Sequence, residues 1–353
     1  MQWTDFLGHE TQINWFRTAV LQGRLASTFL LTGPSGIGKR TFARLVGKSL
    51  LCHKATNFTP CGKCESCVQS DAGSNPDILQ LEKPADKSTI PLELLIGDRE
   101  TRLREGLCYE LSLKPFGGLR RIAIIDDADF LAIEGANCLL KTLEEPPPGA
   151  VIFLISTSEQ RQLPTIRSRC QVIRFRPLTN ENLAKLLLRH GWVSDENIAK
   201  EFAESAEGSL GNVRFLQDDD FRAYRNELRR RLSETPLQFL ELAKSIVASV
   251  ESAGSDSAEK RDRLRVILKE MTYFYRQALH EHNQPVTGTS TSTGLTKQDD
   301  FVMQASARWP NPTHTAVRAL QRCLDASSQV ERFLGTPMIV ESLCVDLTEI
   351  CRA

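Results

Sequence analysis

An α/β domain on a parallel sheet, carrying a metal-binding insert and followed by all-helical segments, is the fold class this sequence predicts. Three observations predict it. An apolar run, Phe29-Leu30-Leu31, passes through a glycine-rich turn at Gly33 to Gly38 into an amphipathic stretch from Lys39 to Leu50, the order strand, loop, helix. Further apolar runs, Asp77–Leu81, Arg121–Ile125, Val151–Ile155 and Val172–Phe175, alternate with helical patterns, as parallel strands with crossover helices do. Beyond Arg176-Pro177-Leu178 the period is helical throughout.

Bulk properties narrow the classes. The chain has 353 residues, 41% hydrophobic and 25% charged, enough for two or three domains. Lys+Arg and Asp+Glu are both 44, so no global basic field draws it onto nucleic acid, and any DNA contact must be local or made by partners. No apolar run reaches the roughly 18 residues of a membrane span, and the start Met-Gln-Trp-Thr-Asp lacks a secretory pattern. The expectation is a cytoplasmic protein with no membrane partner.

In chain order, Trp3 to Gln22 carries apolar residues at mostly helical spacing, and Phe29–Thr32 is the first buried strand. Gly33, Gly38 and Lys39 then fit the phosphate-loop pattern G-x-x-x-x-G-K-[ST], with Gly36 inside it. Such a loop turns successive backbone N–H groups toward one centre, the lysine reaches the terminal phosphates and the new helix adds its positive end. The last position departs. Arg40 stands where a Ser or Thr hydroxyl would hold Mg²⁺, and Thr41 follows about 100° further round the helix.

Cys52, Cys61, Cys64 and Cys67 come next, spaced C-x8-C-x2-C-x2-C. Four thiolates can surround Zn²⁺ tetrahedrally, and the short gaps let backbone N–H groups point at the sulfurs. With four protein ligands no position is open to a catalytic water, so the metal is expected to be structural; two disulfides or idle thiols are the alternatives. The other six cysteines are scattered, mostly in apolar stretches, and read as small core residues.

Leu92 to Leu113 reads as one helix. The strand Arg121–Ile125 ends in Asp126-Asp127, the Walker B position of a nucleotide-loop protein, where the first acid holds Mg²⁺ through water and the second polarises the attacking water. Asp127 is one methylene shorter than a catalytic Glu; the alternative is that both acids cap the following helix. Phe130–Leu143 is a further helix, closed by Pro146-Pro147-Pro148. Ser156, Thr157 and Ser158 lie at the carboxyl end of their strand, where a hydroxyl such as that of Thr157 can sense a γ-phosphate. About five parallel strands are expected in all.

Two short helices, Thr179–His190 and Ser194–Glu207, and a third from Leu210 form a small lid. Longer patterns follow at Phe221–Leu232, Pro236–Val250, Glu259–His280, Thr313–Leu334 and Met338–Ile350, while 283–298, with Thr-Gly-Thr-Ser-Thr-Ser-Thr-Gly, is too polar to pack and is expected to be a mobile loop.

Gly33–Lys39, the four-cysteine module, Ile124-Ile125-Asp126-Asp127-Ala128-Asp129, Leu139-Leu140-Lys141-Thr142-Leu143-Glu144-Glu145-Pro146-Pro147 and Ser168-Arg169-Cys170 together resemble the bacterial clamp-loader AAA+ subunits of DNA polymerase III. The resemblance covers the first 215 residues or so; the helical C-terminal third fits the family's collar in size only. It implies an AAA+ domain over 1–176 with its zinc module at 52–67, a helical lid over 177–219 and an oligomerising collar over 220–353. It implies, as partners, gamma/tau and delta subunits in a hetero-pentamer, the sliding clamp, and primed DNA met mostly through the assembly. It also implies an arginine finger: Arg169 would reach the neighbouring subunit's ATP, unless it merely pairs with a carboxylate of its own domain. Within the family, Arg40, Asp127 and Gly211, which stands where motor subunits usually carry a lid arginine, point to the subunit type that does not turn over ATP. Zn²⁺ is then the expected structural cofactor, and ATP with Mg²⁺ a ligand that these departures weigh against. An active gamma/tau-type ATPase using Thr41 and Asp127, and a nucleic-acid-binding zinc protein with a relic loop, are the rival readings.

Overall fold

The structure, a computed structural model, describes residues 1–102, 104–117, 119–206, 208–216, 219–254, 257–283, 297–331 and 335–352. The chain divides into two compact units, Met1–Val213 and Arg214–Ala353.

The first unit is built on five parallel strands, β1 (Thr28–Thr32), β2 (Ile78–Leu81), β3 (Arg121–Ile125), β4 (Ala150–Ser156) and β5 (Gln171–Arg174), in the order β2-β3-β4-β1-β5. The sheet is covered on both faces, which is why its central strands read as continuous apolar runs. Phe29, Leu31, Ile122, Ile124, Val151, Phe153 and Ile155 fill one face's core, while Leu30, Ala123, Ile125, Ile152 and Leu154 fill the other's, the strict alternation of a pleated strand. Phe29 stacks on Phe153 across β1 and β4 at 5.3 Å, and Phe16 and Phe42 close over them from the helices α1 (Glu10–Leu21) and α2 (Lys39–Leu51). The expected five-stranded parallel sheet is therefore the fold of this unit, with bounds within a residue or two.

Two helical expectations are corrected. Trp3 to Gln22 is not one helix: a 3-10 turn at Trp3–Asp5 precedes α1, with Gly8 between them. Nor is Leu92 to Leu113. It holds two short helices, α4 (Leu92–Ile96) and α5 (Leu107–Ser112), because Gly97 and Gly106 adopt φ of +80° and +85°, which no helix interior admits. Between α2 and β2 lies α3 (Glu65–Ala72). After β3 a 3-10 turn, Ala128–Phe130, leads to α6 (Ile133–Glu144), and α7 (Pro164–Arg167) precedes β5. Three helices complete the run beyond β5: α8 (Asn180–Arg189), capped by the Thr179 hydroxyl accepting from the Asn182 N–H, α9 (Glu196–Ser205), capped by the Asp195 carboxylate, and α10 (Leu210–Leu216). The helices up to Val213 are counted with the sheet in the first unit.

The second unit is helical: α11 (Asp219–Leu232), α12 (Phe239–Glu251), α13 (Ser257–Asn283), α14 (Lys297–Ser306), α15 (Pro312–Glu331) and α16 (Thr336–Arg352). Its core gathers Phe221, Leu264, Ile267, Met271, Phe274, Tyr275 and Leu343, all but fully buried. Helix α14 was not expected. It takes Lys297 and Gln298 out of the expected mobile loop, as α13 takes Asn283, and the rest of that loop lies outside the described residues.

Candidate nucleotide site and cysteine centre

Parallel pairing brings the carboxyl ends of β1, β3 and β4 to one edge of the sheet, where open α/β folds bind ligands. A cavity of about 590 Å³ opens there, lined by polar and charged residues, among them Ser35, Lys39, Arg40, Asp126, Asp127, Asp129 and Thr157, and by the apolar Leu7, Leu178, Leu186, Trp192 and Leu210. A mostly apolar lining with convergent polar groups suits a nucleotide.

The loop has the expected form. Gly36 stands at φ +74°, and a Cβ there would come 2.4 Å from Ser209 Oγ and 2.9 Å from the Gly211 nitrogen. That crowding reflects a contact absent from the sequence reading: the Ser209 hydroxyl donates to the Ser35 carbonyl at 2.9 Å and the Gly211 N–H to the Gly36 carbonyl at 3.3 Å. The start of α10 thus sits directly on the loop tip. A side chain at Gly211 would begin 3.2 Å from Gly36 Cα. Beneath the loop, buried His9 bonds the Ile37 carbonyl through Nε2 at 2.9 Å, and burial lowers its pKa.

Lys39 is buried, its ammonium donating to the carbonyls of Gly33 and Pro34 at 2.6 Å each. Burial lowers its pKa to about 8, against the raising effect of Asp126, Asp129 and Asp127. Arg40 turns to the acids. Its Nη1 pairs with Glu82 and lies 3.5 Å from Asp126 Oδ2. Glu82 and Asp126 are brought side by side because Leu81 and Ile125 are partners in the β2–β3 ladder. Mg²⁺ requires oxygen ligands in near-octahedral geometry at about 2.0–2.1 Å. Here a guanidinium already bridges the two carboxylates and Arg40, not a hydroxyl, directly follows Lys39, so these residues do not fit that ion.

Asp127 adopts φ +52° and makes no side-chain cap to the following turn. Although open to the cavity, its carboxyl is desolvated and lies beside the charge of Asp126, which together raise its pKa to about 6. Thr157 lines the cavity with its hydroxyl engaged: it donates to Asp129 Oδ2 at 2.5 Å, and the Thr157 N–H reaches the same oxygen at 2.9 Å. Asp129 also accepts from Ser156 and Gln162. Glu82, Asp129 and Ser209 were not assigned roles from the sequence. The signal for Glu82 was that it directly follows a strand.

Arg169 is far from this edge. The Thr28 hydroxyl donates to the Arg169 carbonyl at 2.7 Å, so Arg169 lies at the amino ends of β1 and β5, opposite the loop. At about 3.3 Å per residue the five residues of β1 separate the two ends by roughly 15 Å. The guanidinium contacts Glu144 at 3.2 Å and the Thr165 carbonyl at 3.0 Å.

The four cysteines converge: their Sγ atoms all lie within 4.8 Å of one another. Cys52 ends α2, Cys64 caps α3 and Cys67 lies within it. The Cys61 N–H points at Cys52 Sγ (3.2 Å) and the Cys64 N–H at Cys61 Sγ (3.3 Å), the pattern expected of a metal knuckle. Backbone N–H groups of Lys63 and Cys64 bring the Cys61 thiol down to about 6, whereas burial pushes Cys67 up to about 12. Four soft, preformed sulfur donors could hold a metal such as zinc. The module is fastened by Trp3, whose Nε1 donates to Ser49 Oγ and to the Phe58 carbonyl at 3.0 Å each and whose ring stacks on Phe58 at 5.5 Å.

A parallel sheet whose first strand runs through a glycine loop into a helix is the arrangement found in phosphate-loop proteins. Residues 8–179 match the family model described as DNA polymerase III, delta subunit. The delta' subunit of Pseudomonas aeruginosa is 36% identical over 145 residues, 41% of this chain and 42% of that protein. The tau/gamma subunit of Haemophilus influenzae is 31% identical over 219 residues (61% and 30%), and the tau subunit of Bacillus subtilis 24% over 364 residues (99% and 61%). The chain spans less than two thirds of each of these relatives. It carries a DNA polymerase III delta-type domain and is homologous to the tau/gamma and delta' subunits. Among the described residues, no helix is long and apolar enough to cross a membrane.

Proposed function

We propose that this chain is a delta-prime-type subunit of the DNA polymerase III clamp loader, a non-hydrolysing AAA+ wall that helps load the sliding clamp on primed DNA beside gamma/tau and delta subunits. The observation that carries the reading is the division of labour between two arginines. Arg40 bridges Glu82 and Asp126 in the chain's own site, where a motor holds its metal, while Arg169 stands at the opposite end of the sheet, out of reach of its own loop. A guanidinium that cannot serve its own nucleotide suits one that completes a neighbour's. Its pairing with Glu144, whose side chain is 61% exposed, is worth about 0–1 kcal/mol and yields readily to a phosphate. The zinc module, the lid over 177–219 and the collar over 220–353 belong to the same reading, with zinc as structural cofactor.

The test is single-turnover ATP hydrolysis by a loader reconstituted with its motor subunits. Arg169→Ala is expected to slow the neighbouring site by about 10³-fold or more, the worth of such a finger elsewhere. The similarity to tau subunits favours a second reading, an active motor using Lys39, Thr41 and Asp127. Loss of turnover with Lys39→Ala and none with Arg169→Ala would establish that reading and sink the first.

A further inference from the structure

We propose that the cavity binds a nucleoside diphosphate without a divalent cation, Arg40 supplying in cis the positive charge that Mg²⁺ brings to other phosphate loops. The inference deepens the non-hydrolysing reading above and rests on it for the identity of the ligand.

Three features of the site argue for it. A guanidinium bridges the two carboxylates best placed to hold a metal, so a second cation there would meet both its charge and its bulk. Only Nη1 of Arg40 is used in that bridge. Among the described residues nothing else pairs with the guanidinium, and its side chain, 42% exposed, lines the cavity, so Nε and Nη2 are left over for the fork that guanidinium groups offer to oxyanions. The loop keeps its other phosphate-binding parts: its glycines turn, and Lys39 opens the helix where it lines the cavity.

Charge selects the diphosphate. Lys39 and Arg40 are the lysine and arginine of the lining, and Arg40 is already shared with Glu82 and Asp126. Asp129 is tied by Ser156, Thr157 and Gln162, and Asp127 adds a further carboxylate, so Lys39 already faces the charges of Asp126, Asp127 and Asp129. A third phosphate, brought in without a metal, would add negative charge among these acids. Leu7, Leu178, Leu186, Trp192 and Leu210 in the lining provide the apolar surface a base requires.

The experiment titrates the full chain with a fluorescent N-methylanthraniloyl ADP in excess EDTA and again in excess MgCl₂, with the ATP analogue in parallel. The expected result is saturable ADP binding no tighter in MgCl₂ than in EDTA, and weaker binding of the ATP analogue in EDTA. Arg40→Ser, which restores the hydroxyl and removes the guanidinium, is expected to weaken binding in EDTA about tenfold or more and to recover it with MgCl₂, the scale of a charge-assisted hydrogen bond. Arg40→Lys, which keeps the charge, controls for folding and is expected to retain binding in EDTA. Wild-type binding that needs MgCl₂ by about tenfold, or no saturable binding at all, would overturn the proposal. Neither of those results touches the trans role of Arg169, which fails separately, in the turnover of the reconstituted loader.

Discussion

Lys39 and Arg40 are neighbours on the first turn of α2 and meet opposite fates: one ammonium folds onto loop carbonyls in the interior, and the adjacent guanidinium swings out to the strand ends. Two consequences follow at this scale. Lys39, with its pKa near 8, loses its charge as pH rises through that value in the free chain, and Asp127 gains charge as pH rises through about 6. Both changes make the cavity more negative, so affinity for a phosphate anion already fully ionised is expected to fall between about pH 7 and pH 9 as Lys39 loses its charge, as binding isotherms across that range will report. Gly36→Ala puts a Cβ against Ser209 and the Gly211 backbone at a left-handed φ. It is expected to cost about 1–3 kcal/mol in urea unfolding, and a neutral result would mean that the α10 start does not rest on the loop. Lys39 and Arg40 were legible as residues of a phosphate loop from sequence alone. What Arg40 does there was not, because Glu82 directly follows a strand more than forty residues away and is brought beside Asp126 only through β2–β3 pairing.

At the scale of elements, β4 is the keystone. It lies between β1 and β3, is buried along its whole length and sends Phe153 into the aromatic cluster with Phe16 and Phe29. Phe153→Ala is expected to destabilise the first unit by about 3–5 kcal/mol, measured by denaturant unfolding. The cysteine module is a second such element, small and with little core of its own beyond Phe58, so the metal that its four sulfurs could hold is expected to carry its stability. Chelation from the purified chain is expected to release roughly one zinc per chain and to lower the melting temperature, and Cys61→Ser to mimic it; an unchanged melt would show that the thiols are idle. The apolar runs identified all five strands because both sheet faces are covered. The break between α4 and α5 escaped that reading, since helical periodicity continued across Gly97 and Gly106 and only their backbone angles end it.

The whole molecule is two units with separate cores, and each should respond to its own lesions. In the second unit, buried Arg225 and Arg229 share Glu270, at 2.7 and 3.3 Å. Glu270→Ala removes the carboxylate that both buried guanidinium groups share and is expected to cost that unit about 3–5 kcal/mol, seen as loss of helical circular dichroism at lower temperature. The sequence by itself determined the parallel α/β class, the glycine loop that opens α2, the four-cysteine cluster and the helical remainder, because each is written in local spacing: apolar periods, glycines beside a lysine, and x2 gaps between thiols. Only the tertiary structure decided what those parts meet. It brought Glu82 beside Asp126 under Arg40, turned the Thr157 hydroxyl to Asp129, set Ser209 on the loop tip and put Arg169 at the far end of the sheet. The reason is physical: hydrogen-bonded register and side-chain packing join residues that no local pattern relates, and the charge and reach of a site depend on those joins.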